Sequence, residues 1–288
     1  MSKLSSALKA QINASHARPG TTPAPAGVLS LYQSIRKEAE SRNVGIKAWF
    51  SAATAATITM NSPQSLLQLH QLATENKSRE EKIYFAELVR EIGLKCIGFN
   101  GIPRTINCLG EFRAGLAPDI VSGLATQPRR HLTPDNVPSI LSRGQALWKS
   151  IYYPFETKLV NKLAQSHPDL PVHILESEYG NLFSDPPATP NGIPVTVGRV
   201  LTSIIAIASL RAQTGVGPQV VSHIFGLRKA YEDGTAEAES EEHIQGGKWL
   251  ATDEGSIWLL GIVDRIVQCI GNGQGTTFAP GYSLNPKL

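Results

Sequence analysis

His223 is the side chain best suited to moving a proton at neutral pH, because an imidazole titrates between the carboxylates and the amines. Its neighbours Val220, Val221, Ile224 and Phe225 are apolar, which sets the ring on a pocket wall or a helix seam, away from open water. There it can take a proton from a substrate carbon or donate one to a lactone oxygen. The same surroundings suit a core histidine satisfied by a backbone carbonyl, and both readings stay open. Glu178, in the run Glu178-Tyr179-Gly180, is the carboxylate expected to support the imidazole, with its pKa raised by burial against Tyr179 and Phe183. Its alternative is a plain helix-surface acid. Glu176 lies two residues away and cannot share the same helix face.

Gln64 and Gln219 each follow a proline at the expected start of a helix, where side-chain amides and free N–H groups can face an anionic ligand. Local helix preferences place glutamines there too. Tyr179 completes the candidate ligand contacts. The three cysteines, Cys96, Cys108 and Cys269, are far apart and odd in number, so they form neither a CxxC nor a disulfide framework. Cys96 and Cys108 sit beside Ile97 and Ile106 and read as buried, inert thiols. His70, His131, His173 and His243 have no spacing that joins them to His223, so neither a metal nor a cofactor is expected.

These residues need a scaffold, and its class is legible. The chain has 288 residues, 41% of them hydrophobic, enough for a full core. A net charge of +3 is too mild for nucleic acid, and the pair Arg129-Arg130 reads as solvated loop. The most apolar stretch, 195–210, is broken by Thr196, Gly198, Arg199, Thr202 and Ser203, which argues against a membrane span. Apolar positions recur at three and four residues nearly throughout, so the fold class is all-α. Helices are expected over 28–42, 45–60, 62–76, 78–97 and 102–116. Ser62 before Pro63 reads as an N-cap, Ser78 with Glu81 as a capping box, and Pro103 as a first-turn proline.

Residues 1–25 read as a flexible arm, with Leu4, Leu8 and Ile12 at helical spacing among basic residues. Residues 117–137 lack a periodic apolar face and read as a linker between a first unit, 26–116, and a second, 138–285. The second unit reads as a degenerate repeat of the first. Pro63-Gln64 reappears 155 residues on as Pro218-Gln219, and the apolar pattern of 80–96 reappears 174 residues on at 254–270. The unequal offsets place an acidic, glycine-containing insertion at 232–253, expected to be an exposed loop. Two small helical units of this kind should share one core, and self-association into a homo-oligomer is expected.

The segments RGQALWKSIYYPFETKLVNKLAQ, ESEYGNLFSDP and VGRVLTSIIAIASLRAQTGVGPQVVSHIFGLRKA, in this order, resemble carboxymuconolactone decarboxylases and AhpD-like alkylhydroperoxidases. Overall the chain resembles fungal peroxisomal proteins that carry this domain. The resemblance implies an AhpD-like helical fold, oligomers, and a small-molecule site around His223 with Glu178 nearby. Val216 and Gln219 stand where the hydroperoxidase branch carries its two cysteines, and Ile204 stands where it carries a glutamate. Thiol peroxidase chemistry is therefore disfavoured, because it needs a thiolate and a resolving partner.

Pro286-Lys287-Leu288 reads as a variant of the Ser-Lys-Leu address, which makes the peroxisomal import receptor an expected partner and the peroxisome the expected location. The basic amphipathic start makes the mitochondrion the alternative. Two functional readings follow. One is a cofactor-independent acid–base enzyme acting on a small carboxylate, lactone or acyl compound. The other is a non-catalytic oligomeric protein that binds a ligand or a partner.

Overall fold

Alanine, threonine and isoleucine dominate the two stretches that turn out to be apolar on every side, and a helix apolar all round has to be the centre of a bundle. The computed structural model describes residues 4–187, 195–276 and 278 and is all-α, with no strand among the described residues. Helix α3 (Ile46–Thr59) is buried from Ala48 onward, and α12 (Gly198–Gln213) is buried at almost every position. They pack on each other as the central pair. Small side chains on α3 permit this close approach, and the branched residues of α12 fill the space between.

Around the pair stand α2 (Val28–Ser41), α4 (Pro63–Ala73), α5 (Arg79–Lys95), α7 (Ile102–Gly115), α13 (Gly217–Glu232) and α15 (Asp253–Ile270). One hydrophobic core runs through both halves, from Val28 to Ile270. Two polar pairs lie inside it: the Tyr32 hydroxyl meets Thr57 Oγ1 at 2.7 Å, and Asn100 Nδ2 donates to Thr59 Oγ1 at 2.8 Å. Across α2 and α15, Glu38 accepts from both arm nitrogens of Arg265 and from the Trp258 indole, which holds its carboxyl down at about 2.

Helix ends follow local chemistry. Ser78 and Glu81 form a reciprocal capping box. Ser62 does occupy the N-cap position of α4, but its hydroxyl does not cap it. It donates instead to Thr22 O and meets Ser65 Oγ, because the end of the N-terminal arm lies across that corner.

Three expectations are corrected here. The arm is not loose throughout: α1 (Ser6–Ile12) is capped by Ser5 and leaves Leu4, Leu8 and Ile12 exposed, while Thr22 N donates to Asn61 O and Ala24 N to Gln64 Oε1. Arg129 and Arg130 are not simply solvated. Arg130 grips Glu91 and the carbonyl of Asn181, and Arg129 donates to the carbonyls of Pro186 and Pro187. The 232–253 segment is exposed over most of its length but is not free of the core. Ala236, Ile244 and Leu250 are buried, Lys47 pairs with Glu242 at 2.5 Å, and Gly45 N donates to Gln245 O, so the segment is a strap onto the start of α3. Three apolar anchors hold it down in spite of its acidic surroundings.

Residues 137–183 form a satellite layer. Helices α9 (Val137–Tyr152), α10 (Glu156–Ser166) and α11 (Asp169–His173) lead into a π-helix, Ile174–Phe183, and Trp148 and Ile151 of α9 make a second small core with Tyr179 and Phe183 of the π-helix. A Cβ on Gly144 would lie 2.6 Å from the Gly180 Cα, so only glycine lets α9 and the π-helix meet this closely.

Candidate functional site

The satellite core meets the main core at an aromatic cluster, and His223 stands at that junction. Trp148 and Tyr152 come from α9, Tyr179 and Phe183 from the π-helix, and His223 from α13. Phe99 comes from the short helix α6 (Ile97–Asn100), and Phe183 stacks on its ring with centroids 5.1 Å apart. The imidazole packs edge-on against Phe99 at 6.0 Å, and its Nε2 lies 3.5 Å from the Tyr152 hydroxyl. Tyr152 in turn is 3.0 Å from the Tyr179 hydroxyl. A phenol–phenol–imidazole row results.

Its electrostatics keep every member neutral. His223 is 5% exposed, and burial, with the Arg199 guanidinium adding to it, pushes its pKa down to about 4. Burial raises Tyr152 and Tyr179 above the ordinary phenol range. Among the described residues Nδ1 of His223 has no hydrogen-bond partner. His70 provides the contrast: it is equally buried, but its Nε2 meets Lys82 O at 3.1 Å, the ordinary fate of a core histidine.

Arg199 interrupts the most apolar stretch of the chain and explains that interruption. Its guanidinium is buried, donates to Ser203 Oγ at 2.7 Å, to Gly226 O at 2.6 Å and to Ser150 O at 3.2 Å, and so ties α12, α13 and α9 together. Burial lowers its pKa to about 10, which leaves it charged. Behind the π-helix, Lys95, 1% exposed, pairs with Asp185 at 3.0 Å and donates to Phe183 O. The other Asp185 oxygen accepts from Val197 N and Gly198 N and caps the start of α12.

Glu178 does not join this row. Its hydrogen-bonding neighbour is His173, 3.5 Å away, and it lies against Gly98, where a Cβ would come within 2.6 Å of Oε2. Burial raises its pKa, in the expected direction. Gln64 holds the arm through Ala24 N, and Gln219 is exposed. Val216 is the N-cap of α13 and Ile204 is core. Cys96 and Cys108 are buried with their thiols pushed up to about 12. Tyr152 and Arg199 were not singled out as site residues. The three aromatics of Ile151-Tyr152-Tyr153-Pro154-Phe155 and the lone charge at 199 were the available signals. Pro286, Lys287 and Leu288 lie outside the described residues.

Two cavities flank the site. One of about 420 Å³ lies between the end of α12 and the end of α15, lined by Leu210, Arg211, Val220 and Asp264 among others. The other, a groove of about 910 Å³, runs between the Tyr152–Phe155 turn, α10 and α13, and Tyr152 forms part of its wall. His223 lines neither. Among the described residues no group of three or more His, Cys, Asp or Glu side chains is arranged to hold a metal ion, and no helix is long and apolar enough to cross a membrane.

Sequence comparison gives one relative to set beside this geometry. Over 234 residues the chain is 26% identical to a Saccharomyces cerevisiae protein named Peroxisomal protein 2, covering 73% of this chain and 78% of that protein. The likeness fits a fungal peroxisomal protein, and the name specifies a place, not a reaction. No protein-family model matches the chain, and no solved structure matches it.

Proposed function

We propose that this is a peroxisomal protein that binds a small molecule without transforming it, and that the groove beside Tyr152 is its ligand site. The likeness to Peroxisomal protein 2 supports the location. The closing Pro286-Lys287-Leu288 supplies a route, through the import receptor. A fluorescent fusion that stays punctate after deletion of Leu288 would remove the tail from this account.

Binding is favoured over catalysis by one observation: His223 is 5% exposed and lines neither cavity, whereas the adjoining groove is open and large enough for a metabolite. A general base has to reach the proton it takes. The test pairs turnover with binding, using wild type and His223→Gln against a panel of small carboxylates, lactones and acyl compounds. Binding by both forms with turnover by neither supports the reading. Turnover that disappears in a variant of unchanged melting temperature overturns it.

A second reading keeps an acid–base enzyme of the carboxymuconolactone decarboxylase type, and one contact favours it. Tyr152 both walls the groove and approaches His223, so a proton can pass between groove and imidazole through its hydroxyl. In that case Tyr152, and not Glu178, is the partner of His223.

We also read 26–116 and 138–285 as copies of one AhpD-like unit. The offset of 174 carries Arg79 onto Asp253, the first residues of α5 and α15, and the offset of 155 carries Pro63 onto Pro218, both first-turn prolines. Exposed Ile102, Ile106 and Ile257 support self-association, which light scattering tests.

A further inference from the structure

We propose that the groove between α10 and α13 takes an amphipathic anion, an apolar chain that carries a carboxylate head. This inference rests on the ligand-binding reading above and specifies the ligand's chemistry.

The first observation is α10 itself. It carries Leu159, Val160 and Leu163, yet none of its residues is fully buried, so the chain does not finish covering the helix's apolar face. Leu159 lines the groove. On the other walls, Phe155 is 67% exposed and Phe225 64% exposed, and Ile151 and Tyr152 complete an apolar floor. Rings of this size left in water beside a concave apolar surface favour an occupant that covers them.

The second observation is charge. Lys158, Lys162, Arg228 and Lys229 line the groove against two carboxylates, Glu232 and Asp233. Arg228 already pairs with Asp253, and Lys229 pairs with Asp233 at 2.6 Å. Lys158 and Lys162 have no ion pair among the described residues and lie four apart, on one face of α10. They therefore offer two uncommitted ammonium groups at the edge of an apolar trough. A head group alone would be held weakly at such exposed charges, and a chain alone would leave them unused. A molecule with both parts satisfies both surfaces.

The groove's volume of about 910 Å³ suits a single chain-bearing molecule. The two lysines act as separate point charges, and a carboxylate is the simplest anionic head they can hold.

The experiment is a calorimetric titration of the full chain with decanoate, 1-decanol and acetate, each below its self-association limit. Decanoate should bind one to one, 1-decanol at least about fivefold more weakly, and acetate not measurably. Lys158→Gln/Lys162→Gln should weaken decanoate by about fivefold and leave 1-decanol unchanged. Phe225→Ala should weaken both. All three positions are exposed, so the melting temperatures should not move, and circular dichroism checks this.

Equal affinity for decanoate and 1-decanol, or indifference of decanoate to the lysine change, overturns the head-group assignment while leaving the groove a ligand site. Decanoate binding that survives Phe225→Ala places the site elsewhere and overturns the proposal. Failure of both chain-bearing probes to bind ends this proposal, and the ligand-binding reading falls only if the panel of small carboxylates, lactones and acyl compounds fails to bind as well. A dimer that Phe225→Ala dissociates makes the groove a seam between copies, which also overturns it.

Discussion

The Tyr152 hydroxyl stands 3.5 Å from His223 Nε2 and 3.0 Å from the Tyr179 hydroxyl, so among the described residues a phenol, and no carboxylate, is the hydrogen-bonding neighbour of the buried imidazole. All three groups are uncharged at neutral pH. The row is therefore a chain of neutral dipoles in a low-dielectric junction, joined through Nε2 of His223 with Nδ1 unpaired among the described residues, and each lost contact leaves one more buried polar atom without a partner. Tyr152→Phe should lower unfolding free energy by about 1 kcal/mol in urea titration, and the nitrogen shifts of His223 should report the lost contact by NMR. An unchanged His223 spectrum would show that the two groups do not interact.

Acidification should weaken the fold through His223. Its folded pKa, about 4, lies below the unfolded value near 6.5, so the unfolded chain binds more protons in that interval and stability is lost as pH falls through it. His70 acts in the same direction, and Glu178 and Glu241, both raised by burial, act against it. His223→Gln isolates the contribution: the drop in stability between about pH 6.5 and 4 should shrink by an amount on the order of 2–3 kcal/mol. Parallel curves for the two proteins would refute the assignment.

Gly144→Ala should separate α9 from the π-helix. The new Cβ would meet the Gly180 backbone, which cannot rotate aside, so a loss of about 2 kcal/mol or more is expected in thermal or chemical unfolding. Gly110, in the middle of α7, has open space where its Cβ would go, and Gly110→Ala should stabilise by about 0.5–1 kcal/mol.

Asp185→Ala removes the ion-pair partner of Lys95 and the cap of α12 in one change. Glu91 is left as the nearest acid, 4.0 Å away. A loss of about 3 kcal/mol is expected, measured by urea unfolding, because the ammonium stays 1% exposed with its main partner gone.

Thiol titration should find one class of accessible group. Cys96 and Cys108 have thiols pushed up to about 12 and should react with a disulfide reagent only after unfolding, while the half-buried Cys269 reacts in the native protein. Fast modification of Cys96 or Cys108 in the folded chain would reopen thiol chemistry.

Fold class and helix limits were written locally. Spacing of apolar residues, the Ser78–Glu81 cap and the first-turn prolines act within a few residues of chain, so the 28–42, 45–60 and 102–116 expectations fall within one residue of the helices observed. The shared core was legible for the same reason, since two helices apolar on all sides have to be covered by the rest.

Partnership was not written locally. Arg130 and Glu91, Lys47 and Glu242, Tyr152 and His223 are separated by 39, 195 and 71 positions, and nothing in their immediate neighbours names the other member. Composition does not show the anchoring of the 232–253 segment or the partners of the arginine pair, because it records charge and not what folding brings opposite that charge. The residue types at the site, an imidazole among apolar neighbours beside aromatic-rich segments, were determined by the sequence alone. Whether that imidazole meets Glu178, a phenol or open water was decided only by tertiary packing, since the close approach that Gly144 and Gly180 permit carries Tyr179 inward beside Tyr152 and leaves Glu178 with His173.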